Sequence, residues 1–352
     1  MTRKLGKNGP RLSSIGLGAM GMSDLYGAAD RSESIATIHA ALDAGVTLID
    51  TGDFYGAGHN EMLISEALRG RDRSQVQLSV KFGALRDPAG GWGGTDNRPA
   101  HVKNYLVQSL RRLDTDYIDI YRPARLDKSV PIEDTIGAIA EMVATGYVKN
   151  IGLSEVSADT LGRAQAVHPI SDLQIEYSLI SRGLEGEILS AARELGIGIT
   201  AYGVLSRGLI SGHWSQARSG ENDFRNINPR FQGENLEHNL TLVDKLRPLA
   251  KKKDASVAQI AIAWVMAQGE DIVPLVGARK RDRLAEALGA LRVNLSKSDL
   301  DAIEAIVPAG AAAGDPAVTA RMSGFGTFET CRRTVRMSVC RGRPEVSGAP
   351  SE

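Results

Sequence analysis

Residues 30–50 read DRSESIATIHAALDAGVTLID, and the fold can be argued outward from this stretch. Asp30 with Glu33 three positions on forms a capping-box pattern, and Ile35, Ile38 and Leu42 then share one helical face. Gly45 supplies a left-handed stop, and Val46 to Asp50 follows as a short apolar strand ending in an acid. The same alternation of apolar run and amphipathic stretch recurs to about residue 306. Candidate strands are Ile15 to Gly18, Val46 to Asp50, Val76 to Lys81, Tyr117 to Tyr121, Val148 to Leu153, Leu173 to Glu176, Ile197 to Tyr202 and Ile272 to Val276. Helical stripes lie between them: Val102, Leu106, Leu110 and Leu113; Ile132, Ile136, Ile139 and Val143; Leu184, Ile188, Ala191 and Leu195. Eight βα repeats predict an α/β protein of the (β/α)8 TIM-barrel class, one domain over residues 1–315, with an open doubly wound sheet as the competing arrangement. Two long polar stretches, Phe82 to Pro99 with Trp92 and Arg207 to Glu237 with Trp214, Phe224 and Phe231, follow strands. They are expected at the C-terminal face, as lids or binding walls.

Composition narrows the function. In 352 residues, 42 Lys+Arg balance 42 Asp+Glu, so no net charge recommends nucleic acid or an anionic membrane as partner. A small-molecule handler fits better. The two cysteines, Cys331 and Cys340, form neither a disulfide framework nor a metal motif, and the histidines lack ligand spacing, so no metal is assigned. The first ten residues carry basic side chains without an apolar stretch after them, and no run of about 18 apolar residues occurs. A cytoplasmic, membrane-free protein is expected. Residues 316–352, with six arginines against three glutamates and no recurring apolar face, are expected to form a disordered tail.

Gly16 to Gly21 spells G-x-G-x-x-G, the phosphate-binding fingerprint of a dinucleotide fold. In that fingerprint the helix opens at the glycines, whereas here Met22 to Ala29 intervenes before the capped helix. A first barrel strand whose glycines permit close approach is the better reading. Strand two ends in Asp50, the loop after it carries Tyr55, and strand three ends in Lys81. In a barrel, neighbouring strand ends meet at one mouth, so an acid, a phenol and an amine converge there. The ammonium is expected to bring the phenol nearer to working pH, allowing Tyr55 to donate a proton to a carbonyl oxygen, with Asp50 holding Lys81 charged.

With those residues in place, the sequence resembles the aldo-keto reductase superfamily, in its bacterial branch that begins G-L-G-x-M-G-M. The resemblance runs over residues 5 to 310. Gly16 to Met22, Asp50 to Glu61, Ile151 to Glu155, Ala201 to Gly212 and Pro274 to Glu286 carry it in order. It implies that Asp50, Tyr55 and Lys81 are the catalytic aspartate, tyrosine and lysine. The family's histidine in Y-x-x-H-R is absent, since Tyr121-Arg122-Pro123-Ala124-Arg125 puts alanine there. Either Tyr55 and Lys81 act alone, or Arg122 or Arg125 is recruited.

The cofactor implied is NADP(H). By resemblance Ser154 and Gln174 bind the nicotinamide carboxamide, with Glu155 in the usual place of an asparagine, and Tyr202 stacks on the ring. Gly203, Leu205, Ser206, Arg207 and Gly208 form the pyrophosphate loop. Gly277, Arg279 and Lys280 grip the 2′-phosphate, Arg283 lies near adenine and Glu286 on its amino group, while Ala287 departs from the usual asparagine. The expected activity is interconversion of aldehydes or ketones with alcohols. Competing readings are an NADPH-binding redox-sensing subunit with little turnover and an aldolase using Lys81 as Schiff base.

Overall fold

All eight apolar runs become parallel strands of one sheet, and that sheet closes. In the structure, a computed structural model, residues 1–23, 26–88, 90–214 and 223–315 are described. In chain order the elements are β1 (Thr2–Lys4), β2 (Arg11–Ser13), β3 (Gly16–Gly18), α1 (Arg31–Asp43), β4 (Leu48–Gly52), α2 (His59–Leu68), β5 (Gln77–Phe82), β6 (Ala84–Arg86), β7 (Trp92–Thr95), α3 (Pro99–Leu113) and β8 (Ile118–Pro123). There follow α4 (Ile132–Ala144), β9 (Val148–Ser154), α5 (Ala158–Val167), β10 (Ile170–Glu176), α6 (Glu187–Leu195), β11 (Gly198–Tyr202), α7 (Gly233–Lys252), α8 (Val257–Ala267), β12 (Ile272–Gly277), α9 (Arg281–Gly289) and α10 (Lys297–Ile306). The barrel runs β3-β4-β5-β8-β9-β10-β11-β12, and β12 pairs back onto β3. This is a (β/α)8 barrel, and the open sheet is set aside.

The N-terminal hairpin decides which mouth can work. β1 and β2 pair antiparallel, and Leu5 and Leu12 pack with Leu48, Ile120, Val273 and Leu275 into a small apolar cluster of their own. The Lys7 amide donates to the Gly196 carbonyl at 2.6 Å, and the Arg3 guanidinium donates to the carbonyls of Met266, Gly269 and Ile272. Gly196, Gly269 and Ile272 lie at or just before the starts of β11 and β12, and Met266 at the end of α8, so the hairpin stoppers the N-terminal end. Gly16 belongs to this packing: a Cβ there would lie 2.7 Å from Leu275 Cδ2 and 2.8 Å from Leu48 Cδ2. The first glycine of the phosphate-like motif is therefore a packing glycine.

Several expectations need adjusting. Asp30 accepts the Glu33 amide, but the reciprocal half of the capping box is missing, because the Glu33 carboxylate accepts instead from Arg281 at the start of α9. In α6 burial falls on Ile188 and Ala192 rather than Ala191, and Leu184 is buried ahead of the helix. Residues 82–99 contain a two-stranded ribbon, β6 with β7, rather than an irregular loop. The stretch Arg207 to Glu237 runs into α7, which packs against α10. The tail 316–352, with Cys331 and Cys340, lies outside the described residues. Among the described residues, no helix is long and apolar enough to cross a membrane, and no three His, Cys, Asp or Glu side chains gather as a metal site would need.

Candidate active site

Side chains alternate along a strand, so Ser79 and Lys81 share the inward face of β5, beside Asp50 on β4. There Lys81 Nζ donates to Asp50 Oδ1 at 2.5 Å, and Ser79 Oγ donates to Asp50 Oδ2 at 2.8 Å. Both members of the ion pair are 4% exposed. Tyr55 stands above them in a tight turn, where Gly56, Ala57 and Gly58 all take positive φ. Gly58 has no alternative, since a Cβ would sit 2.6 Å from Arg112 Cδ. The Tyr55 ring is 5% exposed, its centroid lies 5.1 Å from Lys81 Nζ, and the Phe54 ring meets its edge at 4.7 Å. Phe54 in turn leans on Trp92 of β7 at 5.7 Å, so the ribbon walls this side of the mouth.

The electrostatics differ from the expectation. Burial, and then Asp50, raise the Tyr55 phenol well above its ordinary pKa, against the opposing pull of Arg125 and Arg122. Burial also lowers Lys81, with Asp50 opposing. The phenol is therefore kept protonated at neutral pH instead of being drawn toward ionisation, because loss of solvent outweighs the nearby charges. For a proton donor this is the loaded form. Behind the turn, burial pushes Asp53 up to about 7, with Glu61 adding to it and Arg112 opposing. Burial likewise raises Glu61, whose carboxylate pairs with Arg112 Nε.

A second polar chain inside the barrel was not foreseen from the sequence. Arg122, fully buried, donates to Ser79 Oγ at 2.9 Å and pairs with Asp172 Oδ2 at 2.8 Å, and Thr200 Oγ1 donates to the same Asp172 oxygen. Gly152 makes room, for a Cβ there would lie 2.6 Å from Asp172 Oδ1. The signal was present as a polar residue inside apolar β10, at Asp172, and as an arginine inside β8. Arg122 is thus committed to Asp172 and Ser79.

The expected cofactor residues line the opposite arc of the mouth. Ser154 ends β9, Gln174 lies beside it on β10, and Tyr202 ends β11. Gln174 Nε2 donates to Asp50 Oδ2 at 2.7 Å, which ties the two arcs together. Gly203, Ser206, Arg207 and Gly208 all have positive φ, and Leu205 begins the short helical turn they form. Within it the Ser206 amide donates to the Gly203 carbonyl at 2.6 Å and the Gly208 amide to the Leu205 carbonyl at 2.9 Å. The Oγ atoms of Ser154 and Ser206 are buried with no hydrogen-bond partner among the described residues. Two orphaned hydroxyls at these points suit a polar ligand lying along the mouth. Burial opposes the Arg207 charge, but Glu176, Tyr26 and Tyr202 outweigh it and raise its pKa.

At the far end of the groove, Gly277 closes β12 beside Gly18. Arg279 Nη1 donates to the carbonyls of Tyr26 and Gly27, both at 3.1 Å, and Lys280 is exposed with no ion-pair partner among the described residues. Arg283 pairs with Glu286 at 2.9 Å, and Glu286 also meets His213 Nε2 at 2.8 Å. At the start of α9 the Arg281 amide donates to the Glu33 carboxylate at 3.0 Å. Tyr26 bridges to Asp223, and Arg225 lies over the rings of Tyr26 and Trp214.

A closed barrel with a buried acid-amine pair under a tyrosine defines a class of oxidoreductase, and comparison with known proteins names it. The profile of the aldo/keto reductase family matches residues 14–308, and the chain belongs to that family, whose members interconvert carbonyls and alcohols with nicotinamide cofactors. The chain is 42% identical over 314 residues to a probable aldo-keto reductase 1 of Glycine max, an alignment covering 88% of this chain and 90% of that one. Among solved structures it resembles the glycerol dehydrogenase AKR11B4 from Gluconobacter oxydans, at TM-score 0.79 and 28% identity over 87% of this chain and 94% of that one. It also resembles the aldo-keto reductase AKR11C1 from Bacillus halodurans in its holo form, at TM-score 0.71 and 25% identity over 88% and 96%. Family membership sets aside the aldolase reading.

Proposed function

We propose that the protein is an NADP(H)-dependent reductase of aldehydes or ketones, running in reverse as an alcohol dehydrogenase, with Tyr55 as the proton donor. The observation that carries this is the buried Lys81–Asp50 pair, 2.5 Å apart, directly beneath a Tyr55 phenol that burial keeps protonated. The orphaned hydroxyls of Ser154 and Ser206 support a nicotinamide dinucleotide along the mouth. Ser154 would take the carboxamide, Tyr202 the ring face, the turn from Gly203 to Gly208 the pyrophosphate, and Gly277, Arg279 and Lys280 the 2′-phosphate. Arg283 and Glu286, already paired to each other, would border the adenine. When bound, the nicotinamide supplies the hydride.

Tyr55 gives its proton to the carbonyl oxygen as the carbon is reduced, and Lys81 beside the ring stabilises the phenolate left behind. Asp50 keeps Lys81 charged against its burial, and Gln174 and Ser79 orient Asp50. In the oxidative direction Tyr55 must first lose its proton, so alcohol oxidation should rise with pH well above neutrality while carbonyl reduction does not.

The test is multiple-turnover loss of NADPH absorbance with a carbonyl panel, and NADP+ reduction with alcohols. Glycerol belongs on the panel, because a structural relative is a glycerol dehydrogenase. Tyr55→Phe should lose at least about 100-fold in kcat while still quenching on NADPH binding. The absence of an imidazole at Ala124 favours one alternative, an NADPH-holding redox sensor, which would bind the dinucleotide without turning it over.

A further inference from the structure

Lys81 and Arg122 stand in register on the neighbouring strands β5 and β8, and both are buried inside the barrel. Two cations side by side repel, and here each has its own acid, Asp50 for Lys81 and Asp172 for Arg122. A buried ion pair is weak evidence for stability, because an apolar pair of similar volume often serves as well. What sets the Arg122 pair apart is where its second arm goes. The guanidinium forks: Nη1 meets Asp172 Oδ2 at 2.8 Å, and Nη2 donates to Ser79 Oγ at 2.9 Å. Asp172 is pinned in its turn by Thr200 Oγ1.

This contact decides where one proton points. A guanidinium has donors and no acceptor, and a serine hydroxyl has a single proton, so the Ser79 proton cannot face Arg122. It faces Asp50 Oδ2, 2.8 Å away. Asp50 Oδ2 then accepts from Ser79 and from Gln174, which leaves Oδ1 for Lys81 Nζ at 2.5 Å. The carboxylate is held from three sides, and the amine it carries lies 5.1 Å from the centre of the Tyr55 ring. An unbroken chain of contacts runs from Asp172 through Arg122, Ser79 and Asp50 to Lys81, and every member of it is buried.

We propose that Arg122 is a positioning residue for carbonyl reduction: anchored by Asp172, it orients the Ser79 hydroxyl so that Asp50 is held square to Lys81 beneath Tyr55. This rests on Tyr55, Lys81 and Asp50 carrying the reaction. Arg122 itself touches neither substrate nor cofactor, and it moves no proton. Without its second arm the Ser79 hydroxyl turns freely, Asp50 Oδ2 loses a fixed donor, and Lys81 loses its exact place under the phenol. The planar fork is essential, since a lysine is a point donor that cannot span Asp172 and Ser79 together.

Two variants cut this link from opposite sides. Ser79→Ala removes the hydroxyl, and Arg122→Lys keeps a charge beside Asp172 without the second arm. With the fastest carbonyl of the panel, each should lower kcat about tenfold. KM, and the NADPH dissociation constant read by fluorescence quenching without turnover, should change less than about threefold. Because both variants break one connection, the double variant should lie within about threefold of either single one, whereas independent losses would multiply to about 100-fold. Should Arg122→Lys not fold, Arg122→Met together with Asp172→Leu, which leaves no unpaired charge, takes its place in the cycle.

An Arg122→Lys enzyme with kcat within threefold of wild type, losses that multiply in the double variant, or a loss that falls on KM or NADPH affinity instead of kcat overturns the proposal. If Tyr55→Phe is inactive in the same experiment, the underlying reading survives that result. A Tyr55→Phe enzyme as active as wild type overturns both.

Discussion

Replacing Asp172 by asparagine removes one negative charge from the middle of the barrel and changes little else. Asp172 is 0% exposed and accepts from Arg122 and Thr200, while Arg122 is also 0% exposed. The variant leaves a guanidinium in the barrel interior with no counter-charge. Breaking a buried pair from one side costs about 3–5 kcal/mol, most of it the desolvation of the survivor. Unfolding entropy of about 2.1 cal/mol/K per residue, over roughly 300 ordered residues, gives about 0.6 kcal/mol/K at the midpoint, so Tm should fall by about 5–8 °C. The double variant Arg122→Met with Asp172→Leu removes both charges and should recover most of that loss, because apolar replacements of buried pairs are often neutral or better. Its turnover should nonetheless drop, since Ser79 then loses Arg122 and is held less firmly against Asp50. The assay is a circular-dichroism melt at fixed scan rate beside the reductase assay. A fall in Tm under 2 °C for Asp172→Asn would show that the guanidinium reaches water, and would refute the reasoning.

Asp53 gives a pH prediction with a definite sign. Its folded pKa of about 7 exceeds the ordinary 3.8, so the native state holds this proton more tightly than the unfolded chain does. Stability should therefore decline from about pH 4 to pH 7, by at most about 4 kcal/mol at 1.36 kcal/mol per pH unit. Asp53→Asn should flatten that decline and melt higher than wild type at pH 8; a parallel decline in both proteins would count against it. Lys280→Ala should weaken NADPH more than NADH, read by fluorescence quenching, and the gap should shrink with added salt. Glu33→Gln should tighten NADPH relative to NADH, because it removes the carboxylate now seated on the Arg281 amide and guanidinium; equal changes for both nucleotides would show that this helix start lies away from the 2′-phosphate.

Chain order and periodicity were enough for the barrel. Each strand announced itself as a short apolar run, each helix as a one-sided stripe, and eight repeats of that alternation leave few ways to bury every strand on both faces. Asp50, Tyr55 and Lys81 were legible for the same reason, because strand ends of a parallel barrel share one mouth whatever the distance between them along the chain. The sequence could not say what burial does to those groups. Asp50 and Lys81 read as a charged pair that would ease the phenol toward ionisation, and only the closed mouth revealed that desolvation dominates and holds Tyr55 protonated. Nor could it say that Glu33 would forsake its own helix cap for Arg281, 248 residues away, or that Gln174 would reach Asp50 across the barrel. Local pattern depends on neighbours a few residues apart and survives any change of surroundings. A pKa, or the choice among several hydrogen-bond partners, depends on solvent access and on groups that only the folded chain brings within a few ångströms.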